Sequence, residues 1–246
     1  MKKIFCFINI ILMNGLFIFG QTKITDKYEF PVKQGTEEWK QFETIEKRIA
    51  ALQIPEDVLT GISTEGLLET CLEFPYLLDI LHGNNAQHGF EVLMAEFNGF
   101  RELFRRQNMI NVLLEKYHDL SIDAAKIRLN NNVEQGMFTF RHFVLEFMLI
   151  QDIVLMKLNA EQEKRLFLLS FEHKKIKRKY SDIFSNMNEL PVDLLYAKKI
   201  LNDTDYKFEN AEQKKVLSEF IQAPVSIDKS VMSKVEEYIN VKYNEL

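Results

Sequence analysis

Histidine and carboxylate side chains are the residues of this chain whose spacing could support chemistry. His142 and Glu146 are four residues apart and His88 is three residues before Glu91, so each pair shares a helix face and could hold part of a metal shell. Neither pair forms the HExxH pattern. The remaining histidines are His82, His118 and His173. We interpret all five as ordinary core or surface residues, and the sequence predicts no metal and no cofactor.

Acidic residues could also act in pairs, because glycosidases use two carboxylates separated by roughly 5 to 10 Å. The candidate pairs are Glu65/Glu69 and Glu236/Glu237, which we interpret as solvated helix-face residues. The chain contains no GxSxG nucleophile motif and no glycine loop of the kind that holds phosphate. The sequence therefore predicts no catalytic residue. A hydrolase with a site assembled from distant carboxylates and histidines, including His88, Glu91, His142 and Glu146, is kept as the alternative.

Aromatic residues near the N-terminus could form a binding platform for a sugar or a peptide. They are Tyr28, Phe30 and Trp39. Because Trp39 belongs to the apolar stripe of its own helix, a hydrophobic staple that folds the preceding chain onto the core is the favoured interpretation. Trp39 is kept as a candidate binding residue.

Asparagines mark two further turns. Asn84 and Asn85 stand where a helix should begin, and Asn98 precedes Gly99 at a predicted kink or helix boundary. We interpret both turns as structural, with the alternative that Asn84, Asn85 and Asn98 border a binding surface, as loops often do.

The charge of the chain argues against nucleic acid as a partner. The formal net charge is −5, and nucleic-acid binding normally depends on a basic surface. One basic run exists, formed by Lys174, Lys175, Lys177, Arg178 and Lys179. It follows an acidic stretch, so it is interpreted as a solvated helix face.

The first twenty residues have the pattern of a secretory signal peptide. Lys2 and Lys3 precede an apolar run from Ile4 to Phe19, and we place the cleavage after Gly20. A membrane anchor is the alternative, but the run is short for a spanning helix. The only cysteine nearby is Cys6, inside the leader, so lipid attachment at the cut is not predicted. The sequence thus predicts a secreted or periplasmic protein with no stable membrane span after cleavage.

Cysteine usage is consistent with a fold that has no disulfide. After cleavage only Cys71 remains, among Leu67, Leu68 and Leu72. It is interpreted as a small buried hydrophobic residue rather than a nucleophile, which would need a base nearby in space. The fold must then depend on apolar burial.

Apolar periodicity predicts helices throughout, because apolar residues recur at three- and four-residue intervals. Thr36 should cap a helix with its stripe on Trp39 to Leu52, and Phe138 to Leu158 should form a buried helix. We predict an all-α fold, either an irregular multi-helix bundle or a short helical array. Its expected organisation is a leader at 1–20, an extended segment at 21–35 and a helical domain at 36–246, with a candidate subdivision near 120–135.

Three sequence segments also resemble a family of secreted bacterial proteins of unknown function. They are YEFPVKQGTEEW (28–39), QIPEDVLTGISTEGLLETCLEFP (53–75) and NNAQHGFEVLMAEFNGFRELFRR (84–106). In that family proline usually stands where this chain has Gln34, and a variable residue stands where it has Gly66. The resemblance covers about residues 28–106 and implies export and a helical fold, and it carries no activity, cofactor or catalytic residue.

These observations favour a secreted, non-catalytic helical module that binds a protein, a peptide or an envelope component. The sequence specifies no oligomeric state.

Overall fold

Helices form all the regular structure of the computed structural model, which describes residues 26–81, 86–123, 132–185, 188–203, 205–208, 210–222 and 233–239. No residue in these ranges lies in a β-strand, so the all-α prediction is confirmed. The predicted signal peptide lies outside the described residues, as do Asn84, Asn85, His82 and part of the 120–135 region.

The helices are short in the first half and longer in the second. The first half contains α1 Glu37–Lys40, α2 Ile45–Ala51, α3 Glu56–Gly61, α4 Thr64–Leu72, a 3-10 helix Leu77–Leu81, α5 Ala86–Glu96 and α6 Asn98–Arg105. The second half contains α7 Met109–Asp123, α8 Asn132–Leu149, α9 Asp152–Leu155, α10 Ala160–Lys179, α11 Leu190–Asn202 and α12 Ala211–Gln222. Residues 233–239 are also helical.

Helix starts follow local capping chemistry. The hydroxyl of Thr36 accepts a hydrogen bond from the Trp39 N–H at 3.3 Å, and Ser63 accepts one from the Gly66 N–H at 2.9 Å. Thr36 is therefore confirmed as an N-cap, and Ser63 is the N-cap of α4. Asn159 begins α10 with a complete capping box, in which its side chain and that of Gln162 bond each other's backbone N–H.

The prediction of one continuous helix from Trp39 to Leu52 is wrong, because the stripe is divided between α1 and α2. Thr44 has extended backbone and its hydroxyl accepts from the Lys47 N–H at 3.3 Å, so a second N-cap restarts the helix. Periodicity alone does not detect such a break, since the apolar residues stay in phase across it.

The predicted buried helix from Phe138 to Leu158 is buried only over the C-terminal part of α8, which ends at Leu149, whereas α9 begins at Asp152 and exposes Ile153 and Met156. The Gln151 amide donates to the Phe147 carbonyl at 2.9 Å, and Lys198 donates to the Ile150 carbonyl at 3.0 Å. These side chains bind carbonyls that a continuing helix would use, and they fix the break.

The segment before α1 is bound to α4. The Asp26 carboxylate accepts from the Ser63 N–H at 2.7 Å and from the Ser63 hydroxyl. The Tyr28 N–H donates to Thr70 at 2.9 Å. Gly66 permits this contact, because a Cβ there would lie 2.3 Å from the Asp26 carboxylate. Extended chain thus packs along the helix.

Aromatic rings fill the core of the first half. Phe74 and Phe97 stack with centroids 4.3 Å apart, and Phe100 meets the Phe97 ring edge-on at 5.8 Å. A Cβ on Gly89 would lie 2.2 Å from the Ile80 carbonyl oxygen, so α5 and the 3-10 helix approach each other at the backbone. This core is closely packed and almost entirely apolar.

The second half is arranged around α7, α8, α10 and α11, which pack against one another. α4 packs against both α7 and α8, while α12 packs on α11. One cluster of buried apolar residues extends from Trp39 to Ile239, on both sides of the 120–135 region. Among the described residues, no helix has the length and apolar character needed to cross a bilayer.

Candidate functional site

A polar cluster lies inside the second half, where α7, α8 and α10 meet. Its members, which we call the buried cluster, are Tyr117, His142, Glu146, His173 and Lys177. Each is at most 3% exposed. Ionisable groups are seldom buried so completely unless they are paired, so this is the part of the core that most needs a chemical explanation.

Helical spacing brings these side chains together. His142 and Glu146 are four residues apart on α8, and His173 and Lys177 have the same spacing on α10. Residues at i and i+4 project from one helix face, so each helix presents two polar groups to the other. Tyr117 reaches the same point from α7.

Glu146 is at the centre of the hydrogen-bond network. Its Oε1 accepts from the Tyr117 hydroxyl at 2.7 Å, and its Oε2 accepts from the Lys177 ammonium. The ammonium also donates to the Asn188 carbonyl. The carboxylate is therefore held through both oxygens, with a buried cation on one side.

The two imidazoles contact each other and face the same carboxylate. His142 Nε2 and His173 Nδ1 are 2.8 Å apart, close enough for one hydrogen bond. His142 Nδ1 is 3.6 Å from Glu146 Oε1, and His173 Nδ1 is 4.0 Å from it. His142 Nδ1 and His173 Nε2 are buried and have no hydrogen-bond partner within the described part of the chain. Such buried polar atoms in a native fold call for an explanation.

Both imidazoles are held in the neutral form. Burial, followed by the positive charge of Lys177, lowers the pKa of His173 to about 3. The same two causes, in the same order, hold the pKa of His142 well below its usual range. Neutral imidazole is the form that ligates metals or accepts a proton.

The other three groups also respond to burial. Burial lowers the pKa of Lys177 and raises that of Glu146, while their ion pair opposes both shifts. Burial is likewise the first cause that raises the pKa of Tyr117, followed by the negative charge of Glu146. The Tyr117 hydroxyl thus keeps its proton and donates it to Glu146 in a hydrogen bond.

The basic run on α10 is only partly solvated, which corrects its interpretation as a solvated helix face. Lys177 is 1% exposed and pairs with Glu146, and Lys174 is 8% exposed and pairs with the buried Asp193. Partner carboxylates on neighbouring helices allow these lysines to be buried. A single sequence does not show where those carboxylates lie.

A groove with a volume near 350 Å³ opens on the surface of the second half. It lies between α9, α10 and α11. Its apolar wall consists of Leu155, Met156, Leu158, Phe167 and Leu195. Cavities of this size are typical of ligand sites. We call it the α9 groove, because the break after α8 directs α9 to its edge.

Ion pairs cross the rim of the α9 groove. Lys198 pairs with Asp152 at 2.7 Å, and Lys199 pairs with Glu163. Both lysines are on α11, while the carboxylates are on α9 and α10. Met156 is 83% exposed at the edge of the groove, and the adjacent Ile153 is 46% exposed. The groove therefore combines an apolar wall with a rim of balanced charge.

One side chain is common to the groove and to a small cavity beside the buried cluster. Leu195 lines the α9 groove and also a cavity of about 10 Å³ that is bordered by Tyr117 and Glu146. A cavity of that size holds at most one water molecule. Within the described part of the chain, the residues of the buried cluster are almost completely shielded from solvent.

The aromatic residues considered as an alternative binding platform pack into or against the core, as the favoured interpretation expects. Trp39 is 9% exposed, its ring centroid is 5.6 Å from that of Tyr76, and the Arg48 guanidinium lies over it at 5.4 Å. This arrangement presents little of the indole to solvent.

Asn98 has a structural partner. Its amide oxygen accepts from the Ile54 N–H at 3.0 Å, and its amide nitrogen donates to the Ile54 carbonyl at 2.8 Å. Its own N–H donates to Gln53 at 3.0 Å. Asn98 therefore joins α6 to the chain before α3, and it contacts neither the groove nor the cluster. The other candidates, Asn84 and Asn85, lie outside the described residues.

Of the two histidine–carboxylate pairs noted in the sequence, His142 and Glu146 lie in the buried cluster. Three residues that the sequence did not identify as their partners lie beside them, namely Tyr117, His173 and Lys177. His88 is exposed and away from the cluster. The signal that could have indicated His173 and Lys177 is their four-residue spacing, which repeats that of His142 and Glu146. Nothing in the sequence pairs Tyr117 with Glu146, because they are on different helices.

Comparison with known proteins gives no relative from which a role could be transferred. No protein-family profile, no curated protein and no solved structure matches this chain.

Proposed function

We propose that this protein is an exported, non-catalytic helical module that binds a peptide segment of another protein in the α9 groove. The observation that carries the proposal is the groove itself. It has a volume of about 350 Å³, an apolar wall and two ion pairs at its rim. Most other apolar side chains of the second half are buried in the core.

An apolar side chain is the expected anchor of the bound peptide. Met156, which is 83% exposed, lines the groove together with Leu155 and Leu158. Methionine is common at binding surfaces because its unbranched side chain adapts to different partners. Burying one large apolar side chain contributes roughly 1.5 to 3 kcal/mol to binding.

The rim favours a peptide over a charged polymer or an anionic lipid. Two lysines and two carboxylates cancel in charge, so the groove offers no net attraction for phosphate. A peptide backbone supplies both donors and acceptors and can bond to ammonium and carboxylate groups alike.

Export is part of the same proposal. It is supported by the leader pattern at 1–20 and by the resemblance over residues 28–106. Peptide segments of secreted or envelope proteins would then be the available partners.

A random peptide library displayed on phage tests the proposal directly. The chain without its leader is the bait, and selection should enrich sequences with one large apolar residue flanked by polar ones. Met156→Asp should weaken binding of the selected peptides 10- to 100-fold, roughly the worth of one buried apolar contact. Val133→Asp, at a residue that is 75% exposed on α8, is the matched control and should change nothing.

Two outcomes would contradict the proposal. One is a library that yields no reproducible sequence. The other is a set of peptides that bind the Met156 and Val133 variants equally, since that would place the binding surface elsewhere. Self-association abolished by Met156→Asp would instead make a second copy of the chain the occupant.

The hydrolase alternative retains one supporting observation, which is that His142 and Glu146 meet in the buried cluster with shifted pKa values. It would require Leu195 to move so that the α9 groove reaches the cluster. Leu195→Ala shortens that barrier, and release of a product by this variant from ester or peptide substrates would support the alternative.

A further inference from the structure

We propose that the buried cluster binds one Zn²⁺ ion, with His142, Glu146 and His173 as its protein ligands. The inference is independent of the α9 groove. It depends on three candidate ligand atoms, one from each residue, that all lie within 4.8 Å of one another inside the helical core.

The donor set fits zinc better than the common hard cations. Two imidazoles and one carboxylate are the ligands found in many zinc sites, whereas Mg²⁺ and Ca²⁺ prefer oxygen ligands throughout. Three protein ligands leave a fourth position, which the Tyr117 hydroxyl is near enough to approach, at 2.7 Å from Glu146 Oε1.

The three ligand atoms are close enough together to bind one shared ion. Atoms that each lie about 2.0 to 2.1 Å from one ion are at most about 4.2 Å apart. The separations of His142 Nδ1 and of His173 Nδ1 from Glu146 Oε1 are 3.6 and 4.0 Å. Loss of the 2.8 Å contact between the imidazoles and small rotations of the rings would complete the geometry.

The buried imidazole nitrogens supply a second, independent observation. His142 Nδ1 is buried, faces the Glu146 carboxylate and has no hydrogen-bond partner among the described residues. A bound ion would use a lone pair that is otherwise unsatisfied in the core.

The positive charge of Lys177 lies next to the proposed ion site, because its ammonium pairs with Glu146. Its ammonium contacts Oε2 of Glu146, so Oε1 remains directed towards the imidazoles. Ligating carboxylates are usually held by a further hydrogen bond, and Lys177 supplies it here.

Metal titration of the chain without its leader tests the proposal. The protein is stripped with a chelator, titrated with ZnCl₂ in competition with a chromophoric chelator, and titrated separately with Co²⁺ to record its visible ligand-field spectrum. We expect one Zn²⁺ per chain and a Co²⁺ spectrum typical of mixed nitrogen and oxygen ligands. His173→Gln should weaken binding more than about 100-fold, beyond the effect usual for a residue that only supports a ligand.

Controls separate this site from surface binding and from misfolding. His88→Gln removes an exposed histidine and should leave the affinity unchanged. Circular dichroism establishes whether His173→Gln is folded; if it is not, His142→Gln and the Co²⁺ spectrum of the unaltered chain decide. Absence of a stoichiometric ion in the unaltered chain, or affinity that is equal in folded His173→Gln and His88→Gln, would overturn the proposal.

Discussion

The two halves of the core solve the problem of burial differently. In the first half, aromatic rings such as Phe74, Phe97 and Phe100 pack on one another. In the second half, the interior encloses Glu146 and Lys177 as an ion pair. Buried ion pairs are often no more stabilising than apolar residues of similar volume, because both charges lose their hydration. Stability explains the first arrangement, and the second is better explained by a use for its charged groups.

Breaking the buried ion pair between Glu146 and Lys177 should cause the largest loss of stability among the changes that test this contrast. Lys177→Met leaves the Glu146 carboxylate buried without its cation, which should cost about 3 to 5 kcal/mol of unfolding free energy. Urea denaturation followed by circular dichroism in the presence of a chelator measures the change.

Removing both charges is the matched control. The double variant Glu146→Met/Lys177→Met should recover most of the lost stability, since no unpaired charge remains. If the double variant is as unstable as the single one, the ion pair contributes more to stability than an apolar core would, and the contrast between the halves disappears.

Acid should weaken the fold through the polar half. Below pH 6.5 the unfolded chain binds a proton at His173 that the folded chain, with its pKa of about 3, does not bind. The contribution of each such histidine to the unfolding free energy is therefore fully present above about pH 6.5. It falls by about 1.4 kcal/mol per pH unit as the pH decreases towards 3. Unfolding free energies at pH 7, 6 and 5 in chelator test this.

The variant His173→Gln isolates the contribution of this histidine to the pH dependence of stability, because glutamine does not titrate. The slope between pH 6 and 5 should decrease by about 1.4 kcal/mol per unit in this variant. Glu146 opposes the trend at lower pH, since its raised pKa favours proton uptake by the folded chain. An unchanged slope in His173→Gln would mean that another group governs acid stability.

A part-buried polar contact in the first half, between Asn98 and Ile54, should have a smaller effect on stability when it is lost. Asn98→Ala leaves the Ile54 N–H and carbonyl without their partners, which should cost roughly 1 to 3 kcal/mol. Asn98→Asp keeps the acceptor and loses the donor, so an intermediate cost is expected by urea denaturation. Equal stability of all three proteins would show that solvent replaces the amide.

Periodicity and capping residues were sufficient to predict the class of fold and most helices. Ser63 and Thr36 initiate helices through bonds within three residues, and such local chemistry can be inferred from sequence. The break at Gln151 could not, because it depends on Lys198, a residue from a distant helix.

The candidate sites were predictable only in part. His142 and Glu146 were identified as a pair because they share one helix. Their meeting with His173 and Tyr117 depends on how three helices pack, and the α9 groove depends on where α8 ends. Long-range placement of this kind leaves no mark on residue spacing.

The burial of Cys71 has a practical consequence. Burial raises the pKa of this thiol well above its usual value, so it carries almost no reactive thiolate at neutral pH. A cysteine introduced at position 156, beside the groove, would then be the one readily alkylated sulfur in a chain that starts after Gly20. A fluorophore or photo-crosslinker could be attached there in a single step, with no cysteine removed from the interior.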